Sequence, residues 1–292
     1  MNFTTTLGYV PTIRKTMKSP ETLTAKQISV VIPVKDNQRG IDLFLKTLFE
    51  SHPHDILPGE ILIVDSPEPA ITIAEEYLSR STPVSVIHCN EKGPAAARNL
   101  GWKTAKGEWI LFTDSDCIPE IDWIKGYSNS MNGSLAYAGN IKSYGDDWIS
   151  RYYDSQQTLI PPPFTEAGIV CPEFIITANA LVWKTALVEV GGFNEDIKIA
   201  AGEDVDLGFR LREIGKLSYA PGSLIRHNFD EGLGGFVERF KRYGMGNRKI
   251  AELYRLDLKP RRFKPRKSSI INHLLALLQL YCLSQGYRAP TN

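Results

Sequence analysis

The first 113 residues alternate short apolar runs with segments of helical periodicity. The runs are rich in Val and Ile and apolar at nearly every position, as expected of strands buried on both faces of a sheet. Such alternation predicts βαβ units and a mostly parallel, Rossmann-like α/β sheet flanked by helices. The predicted strands cover residues 28–34, 60–65, 84–88 and 109–113, and the predicted helices between them cover residues 42–50, 71–78 and 95–105.

An acidic pair, Asp114 and Asp116, follows the fourth predicted strand directly, with Ser115 between its members. Carboxylates at positions i and i+2 of an extended chain point the same way, about 6.6 Å apart. At the carboxyl end of a strand they face the crevice where α/β sheets bind ligands. Because like charges this close need a positive partner, the pair predicts a divalent cation that also contacts a phosphate. The alternative is an ordinary solvated turn, which Asp and Ser favour.

Composition and charge exclude several classes of protein. A net charge of +1 argues against a dedicated nucleic-acid binder, whose affinity would depend on a basic surface. Residues 1–27 have no apolar run of signal-peptide length, and no stretch of the chain reaches the roughly 20 apolar residues that span a bilayer. We therefore expect a cytoplasmic protein. The cysteines are too widely spaced for a zinc site or a disulfide framework, and we expect free thiols at Cys89, Cys117, Cys171 and Cys282.

Several segments of residues 28–250 together resemble the inverting family 2 glycosyltransferases. Their order and spacing carry the resemblance, which implies a GT-A fold with a C-terminal helical extension. The segments are VVIPVKD (30–36), LIVD (62–65), GPAAARNLG (93–101), GEWILFTDSDC (107–117), TANA (177–180), VGGFNE (190–195) and GEDVDLGFRL (202–211).

The resemblance implies a role for each matching position. The loop after the first strand and the end of the second strand would hold the base and ribose of a nucleotide-diphosphate donor. An arginine would lie near the diphosphate. The metal, Mn²⁺ or Mg²⁺, would bind the acidic motif and a histidine. The implied donor contacts are Pro33, Val34, Asp36, Asp65, Arg98, Asp114 and Ser115, and the implied metal ligands are Asp116, Asp114 and His227.

The Glu203-Asp204 pair matches the acidic dyad of the family, of which Asp204 would be the catalytic base and Glu203 its competitor. Asp204 also begins a helical pattern, where acidic residues commonly cap the helix or interact with its dipole. His227 is either the further metal ligand or a packed residue. Asn179 and Trp183 are candidate acceptor contacts, with a helix cap and a core position as the alternatives.

These assignments predict a metal-dependent inverting transferase of a hexosyl or N-acetylhexosaminyl group. The donor would be a UDP-sugar, and the acceptor a glycan, a lipid-linked sugar or a small molecule. Two alternatives are a catalytically silent binding or scaffold protein on the same fold and a sugar nucleotidyltransferase. The second would carry a glycine-rich loop after the first strand, where this chain has Pro-Val-Lys-Asp-Asn at 33–37.

The second half of the chain is less regular. We predict a weakly ordered lead-in over residues 1–26 and a catalytic domain over 27–232, with a nucleotide half (27–116) and an acceptor half (117–232). A helical extension over 233–292 completes the chain. Within these parts the patterns predict strands at 135–141 and 223–226, a loop at 152–168, a strand running into a short helix at 174–183, and helices at 204–214 and 236–256.

The C-terminal third carries three further signals. Residues 236–254 contain glycines at 244 and 246, which predict either a break in the helix or the close approach of another segment. The same residues are basic and form either a solvated helix face or a segment beneath the substrates. Residues 259–267 hold six basic residues in nine, and residues 270–283 are very apolar. The segment 259–284 could dock on the domain, form a homodimer, or rest on an anionic membrane at its inner face.

Overall fold

A computed structural model describes residues 7–68, 70–78, 80–166, 168–229 and 232–289. The strands are β1 Ile28–Val34, β2 Glu60–Asp65, β3 Val84–His88, β4 Trp109–Thr113, β5 Cys117–Pro119, β6 Ala136–Ser143, β7 Pro163–Glu166, β8 Ile169–Pro172, β9 Asn179–Trp183 and β10 Leu217–His227. The helices are α1 Gln38–Ser51, α2 Glu75–Leu78, α3 Pro94–Thr104, α4 Trp123–Ser128, α5 Trp148–Gln156, α6 Lys184–Val190, α7 Glu203–Arg212, α8 Gly232–Tyr254 and α9 Ile270–Arg288.

The four predicted strands of the first half are confirmed as β1 to β4 with unchanged bounds. Helices α1 and α3 are also confirmed, whereas α2 is only four residues long. The β-branched Ile71, Thr72 and Ile73 before it favour extended chain. Two of their backbone N–H groups are taken by side chains, that of Ile71 by Asp65 at 2.8 Å and that of Thr72 by Gln38 at 2.9 Å.

Eight strands of the described chain form one sheet in the order β3-β2-β1-β4-β9-β6-β10-β5. The pairs among β1, β2, β3 and β4 are all parallel, as predicted for βαβ units. In the second half β9 runs antiparallel to both β4 and β6, β10 is parallel to β6, and β5 is antiparallel to β10. Buried apolar residues cover both faces of the sheet. The carboxyl ends of β1, β4 and β10 therefore point to the same edge.

The predicted loop over residues 152–168 is wrong at its beginning, which belongs to helix α5, and near its end, which forms strand β7. Helix α5 covers residues 148–156 and is capped by Asp147, which accepts from the N–H of Ile149 at 2.8 Å. Its buried Ile149, Tyr152 and Tyr153 follow helical spacing toward the core. A short hairpin of β7 and β8 follows, with residue 167 outside the described residues.

The N-terminal lead-in, expected to be weakly ordered, packs on the domain over residues 7–26. Tyr9 stacks on Phe209 with ring centroids 4.2 Å apart, and its hydroxyl donates to Glu213 at 2.5 Å. The Ser19 hydroxyl donates to the carbonyl of Ser134 at 2.6 Å. Contacts with residues distant in sequence therefore stabilise this segment. Residues 1–6 of the lead-in lie outside the described residues.

Helix α8 runs without interruption through the glycines of residues 244–246, so close approach rather than a break explains them. A Cβ at Gly244 would collide with the backbone of Leu283 in α9, and one at Gly286 would collide with the backbone of Lys241. The two helices therefore pack backbone to backbone, and α9 docks on the domain through α8. All four cysteines are buried, and none forms a disulfide among the described residues.

Candidate active site

A cavity of about 610 Å³ opens at the edge of the sheet where β1, β4 and β10 end. Side chains from distant parts of the chain meet there because parallel strands bring their carboxyl ends to one edge. The structure brings nine of the predicted site residues to this cavity: Pro33, Val34, Arg98, Asp114, Ser115, Asp116, Glu203, Asp204 and His227.

Arg98 of α3 holds the acidic residues in place. Its side chain is buried, and it donates to Asp114 at 2.8 Å through one terminal nitrogen and to Glu203 at 2.8 Å through the other. Burial lowers the pKa of Arg98, but the two carboxylates outweigh it and raise the pKa above its ordinary value. The arginine therefore stays charged and compensates two carboxylates that would otherwise repel each other.

Asp204 lies at the start of α7, after Gly202, whose φ of 99° is a conformation that favours glycine. Its Oδ1 accepts from the N–H of Val205 at 2.8 Å. Burial raises the pKa of Asp204 to about 7, and the charge of Glu203 adds to the rise. Burial raises the pKa of Glu203 as well, with Arg98 opposing. Of the two, Asp204 lacks an ion-pair partner of its own among the described residues and has the pKa suited to proton transfer near neutrality.

Asp116 and His227 form a pair that fits a divalent cation. His227 Nε2 lies 3.5 Å from Asp116 Oδ1, and its Nδ1 lies 3.0 Å from the carbonyl oxygen of Asn228. Burial lowers the pKa of His227, with Asp116 opposing, so the imidazole is neutral. With the Nδ1 proton donated to Asn228, Nε2 and the carboxylate present two electron-pair donors to the same point. A neutral imidazole beside a carboxylate suits Mn²⁺ better than Mg²⁺, which prefers oxygen ligands.

Two other residues beside this pair are poor ligands. The sulfur of Cys117 lies within 4.8 Å of the donor atoms of Asp116 and His227. Burial raises the pKa of this thiol well above its ordinary value, so the sulfur keeps its proton. Asp114 is engaged by Arg98 through Oδ1.

Ser115 receives two hydrogen bonds from Asn37, one on its carbonyl and one on its hydroxyl oxygen, each 3.1 Å long, which orient the loop between the two aspartates.

Helix α8 contributes cationic side chains that sequence reasoning left unassigned. Arg239 and Arg242 line the cavity, with Tyr243 beside them. The guanidinium of Arg239 stacks over Phe229 at 5.0 Å from the ring centroid. Their spacing of three residues places both arginines on one helix face, but the sequence could not show which face points to the cavity. Lys92, in the loop before α3, was missed and also lines it.

At one end of the cavity lie Pro33 and Val34 of β1 together with Ser66 and Pro67 after β2. Pro33 and Val34 line the cavity, and their contacts with a base and ribose stay predictions. Asp65 is buried and does not reach the cavity wall: its Oδ2 accepts from the N–H of residue 70 at 2.6 Å, and its Oδ1 has no hydrogen-bond partner among the described residues. The contact of Asp65 with a ribose stays a prediction. The predicted contact of Asp36 also stays a prediction, since Asp36 is exposed and is not among the lining residues.

Asn179 and Trp183 of β9, the candidate acceptor residues, are not brought to the cavity. The Asn179 carbonyl oxygen accepts from Trp123 at 2.7 Å and from Tyr127 at 2.8 Å, and its amide donates to two backbone carbonyls. Trp183 pairs with the core residue Trp109 across the sheet. The Asn179 side chain makes its hydrogen bonds within the core, because Asn179 lies inside the sheet rather than beyond its end. Trp183 packs against the core as well.

The sequence matches the family model described as Glycosyl transferase family 2 over residues 29–180, and the one described as Glycosyl transferase family group 2 over residues 109–287. It is 28% identical over 229 residues to the pre-mycofactocin glycosyltransferase of Mycobacterium tuberculosis, covering 75% of this chain and 46% of that protein. It is 23% identical over 221 residues to the chondroitin synthase of Pasteurella multocida, covering 63% of this chain and 23% of the synthase. The chain thus spans less than half the length of these relatives.

Solved structures share the fold. The mannosyltransferase PcManGT from Pyrobaculum calidifontis, in complex with GDP-Man and Mn²⁺, superposes with a TM-score of 0.58 at 16% identity, covering 96% of this chain and 77% of that one. Residues 1–349 of TarS from Staphylococcus aureus, in complex with UDP-GlcNAc, give 0.54 at 19% identity, covering 79% of this chain and 67% of that one. The α/β sheet is therefore of the GT-A type, as predicted.

Proposed function

The chain belongs to glycosyl transferase family 2, and we propose that it transfers a sugar from a nucleotide-diphosphate donor to a hydroxyl group of an acceptor. One observation carries this proposal. A single cavity holds a carboxylate whose pKa is raised to about 7, Asp204, together with Asp116 and His227, which fit a cation. The donor would be a UDP-sugar carrying a hexose or N-acetylhexosamine. Support comes from similarly folded proteins that bind UDP and UDP-GlcNAc, although another of them binds GDP-Man.

In this proposal the donor lies along the cavity. Its base and ribose contact the end formed by Pro33, Val34, Ser66 and Pro67, and its diphosphate reaches the acidic residues. A cation held by Asp116 and His227 would neutralise charge on the diphosphate. Both terminal nitrogens of Arg98 already donate to Asp114 and Glu203, so we assign it to positioning these carboxylates.

The arginines of α8 are better placed to contact the diphosphate from the other side. Arg239 and Arg242 both line the cavity, and guanidinium groups match phosphate geometry. They would stabilise the charge that develops on the leaving group. In this proposal the predicted diphosphate contact of Arg98 is made instead by the arginines of α8.

Asp204 would act as the base. It takes the proton of the acceptor hydroxyl as the oxygen forms a bond to the anomeric carbon, and the bond between that carbon and the diphosphate oxygen breaks with its electron pair leaving on the diphosphate. A single displacement of this kind inverts the anomeric configuration. Glu203, held by Arg98, would support the dyad without exchanging protons with the acceptor.

Calorimetric titration with nucleoside diphosphates tests the donor site. We expect one diphosphate, UDP in our proposal, to bind in the presence of Mn²⁺ and to bind at least ~10-fold more weakly without it or in Asp116→Ala, because a metal ligand is lost. The matched control is Asp146→Ala, which removes a fully exposed carboxylate and should bind as the wild type does. If no diphosphate binds to the folded protein, the proposal is wrong, and a scaffold function becomes the better hypothesis.

The pH dependence of turnover tests the base. Asp204 must be deprotonated to accept a proton, and its pKa is raised to about 7, so it is mostly protonated below that pH. We expect kcat/KM to rise about tenfold per pH unit up to the region of pH 7 and then to level off. The rise should be absent from the residual activity of Asp204→Asn. A wild-type rate that is flat through this range would contradict the assignment.

A further inference from the structure

Helix α9 is apolar on two opposite faces, yet only one of them packs on the domain. The buried face includes Leu275, Cys282 and Leu283, which contact the core. A helix that is apolar all round is normally buried all round. The described part of the chain covers only one side of α9, and no described residue packs over the other side.

The outward face of α9 forms a continuous apolar surface, which we call the ridge. It consists of Ile270, Ile271, Leu274, Leu277 and Tyr281, each between 51 and 82% exposed. Their spacing follows the helical repeat, so the side chains align along one side. No described helix is long and apolar enough to cross a bilayer, so the ridge is a surface feature and not part of a membrane span.

Two residues from other helices extend the ridge. Trp148, at the start of α5, and Leu233, at the start of α8, line an apolar groove with Ile271 and Leu274. Both are about half exposed. The carboxylate of Asp147, next to Trp148, is turned to its own helix, where it accepts hydrogen bonds from Ile149 and Ser150. The apolar surface therefore spans three helices, which is larger than the scattered exposed side chains of an ordinary surface.

A basic segment leads directly into the ridge. Residues 258–292 contain no Asp or Glu, and their Lys and Arg residues are Lys259, Arg261, Arg262, Lys264, Arg266, Lys267 and Arg288. Six of these seven precede the first turn of α9, in a chain whose total net charge is only +1. The backbone N–H of Arg266 donates to Gln156 at the end of α5 at 3.2 Å, which holds the basic segment on the domain just before α9 and the ridge begin.

We propose that this surface binds an anionic lipid bilayer, with the ridge inserted among the headgroups and the basic segment contacting lipid phosphates. Charge favours a membrane over a second copy of the chain. An anionic surface complements the basic segment, whereas a two-fold contact through the ridge with the two α9 helices in parallel would bring two basic segments together. Apolar residues beside Trp, Tyr and basic side chains are typical of surfaces that lie in a membrane interface. This inference does not depend on the proposed enzymatic function.

Vesicle co-sedimentation of the full-length chain tests the proposal. We expect it to bind vesicles of equimolar phosphatidylserine and phosphatidylcholine, and to bind pure phosphatidylcholine vesicles at least ~10-fold more weakly, with high salt weakening the first interaction. Two variants should each lose ~10-fold or more of the binding: Leu274→Ser/Leu277→Ser in the ridge, and Arg262→Gln/Lys264→Gln/Lys267→Gln in the basic segment.

Matched controls separate these effects from general changes. Val188→Ser/Leu253→Ser removes two exposed apolar side chains elsewhere, and Lys18→Gln/Lys46→Gln/Lys106→Gln removes three exposed charges elsewhere. Both control proteins should bind as the wild type does. The proposal is overturned if the wild type ignores anionic vesicles, or if test and control variants bind equally. Light scattering in the absence of vesicles gives the oligomeric state of each protein. The proposal is also overturned if the wild type is a dimer and the only effect of the ridge variant is to make it a monomer.

Discussion

Asp204→Asn is expected to lower sugar transfer by about 100- to 10,000-fold, the range that a positioned base contributes. The substitution keeps the shape of the side chain and removes its ability to accept a proton. Turnover can be followed as release of the nucleoside diphosphate from whichever nucleotide sugar binds, with water as the first acceptor. Binding of the diphosphate itself should be preserved, since Asp204 is not assigned to the donor.

The same variant should be as stable as the wild type or more stable. Burial raises the pKa of Asp204 to about 7, above its ordinary value, so in the folded protein the charged form is disfavoured. Above the ordinary carboxyl pKa that charge costs folding free energy, and the full cost is present above the raised pKa. A neutral Asn removes the cost, which a thermal melt at slightly alkaline pH would detect.

Asp206→Asn is the matched control, because it lies two residues away on α7 and has the opposite role. Its carboxylate accepts from Arg210 at 2.6 and 2.9 Å and from the Tyr254 hydroxyl at 2.7 Å. We expect this variant to lose about 1–3 kcal/mol of stability while turning over donor within a few-fold of the wild type. If Asp206→Asn rather than Asp204→Asn abolishes turnover, the base is misassigned.

Arg98→Met should have the largest effect on stability. It leaves the Glu203 carboxylate buried and Asp114 without its partner, and breaking a buried ion pair from one side typically costs about 3–5 kcal/mol. Chemical denaturation measures the change directly. Because the same carboxylates border the cavity, we also expect weaker binding of the nucleoside diphosphate.

A double variant separates charge from packing in this result. Arg98→Met/Glu203→Gln removes the uncompensated buried charge and should recover a substantial part of the lost stability, which a double-mutant cycle would quantify. Arg151→Met is the control: its partner Asp146 lies 3.8 Å away and both side chains are exposed, so no measurable change is expected. If Arg98→Met is no less stable than the control, the ion pairs do not organise the site.

Much of the first half of the fold was predictable because its signals are local. Each strand from β1 to β4 is a short run of apolar, β-branched residues, and this pattern depends only on neighbours in the chain. The second half was harder. Helix α5 was missed because the prolines that follow it suggested a loop for the whole segment, and the lead-in was misjudged because Tyr9 and Ser19 are stabilised by residues far away in sequence.

The candidate site divides in the same way. Motif order along the chain pointed to Arg98, the acidic pair, Asp204 and His227, and the structure brings all of them to one cavity. The same reasoning placed Asn179 at the acceptor, although its amide and carbonyl are both used within the core. A motif identifies which residues matter together, but it does not distinguish a side chain beyond the end of a strand from one inside the sheet.

The sequence by itself determined the α/β class, the first four strands and the carboxylates at the end of β4, because each depends on local pattern. Only the tertiary structure decided that Arg98, the partner of Asp114, also pairs with Glu203, which lies 105 residues after Arg98. It also decided that Arg239 and Arg242 of α8 line the cavity. It also decided the raised pKa of Asp204. The reason is physical: desolvation and charge pairing depend on which groups pack together in space, and separation along the chain does not determine that.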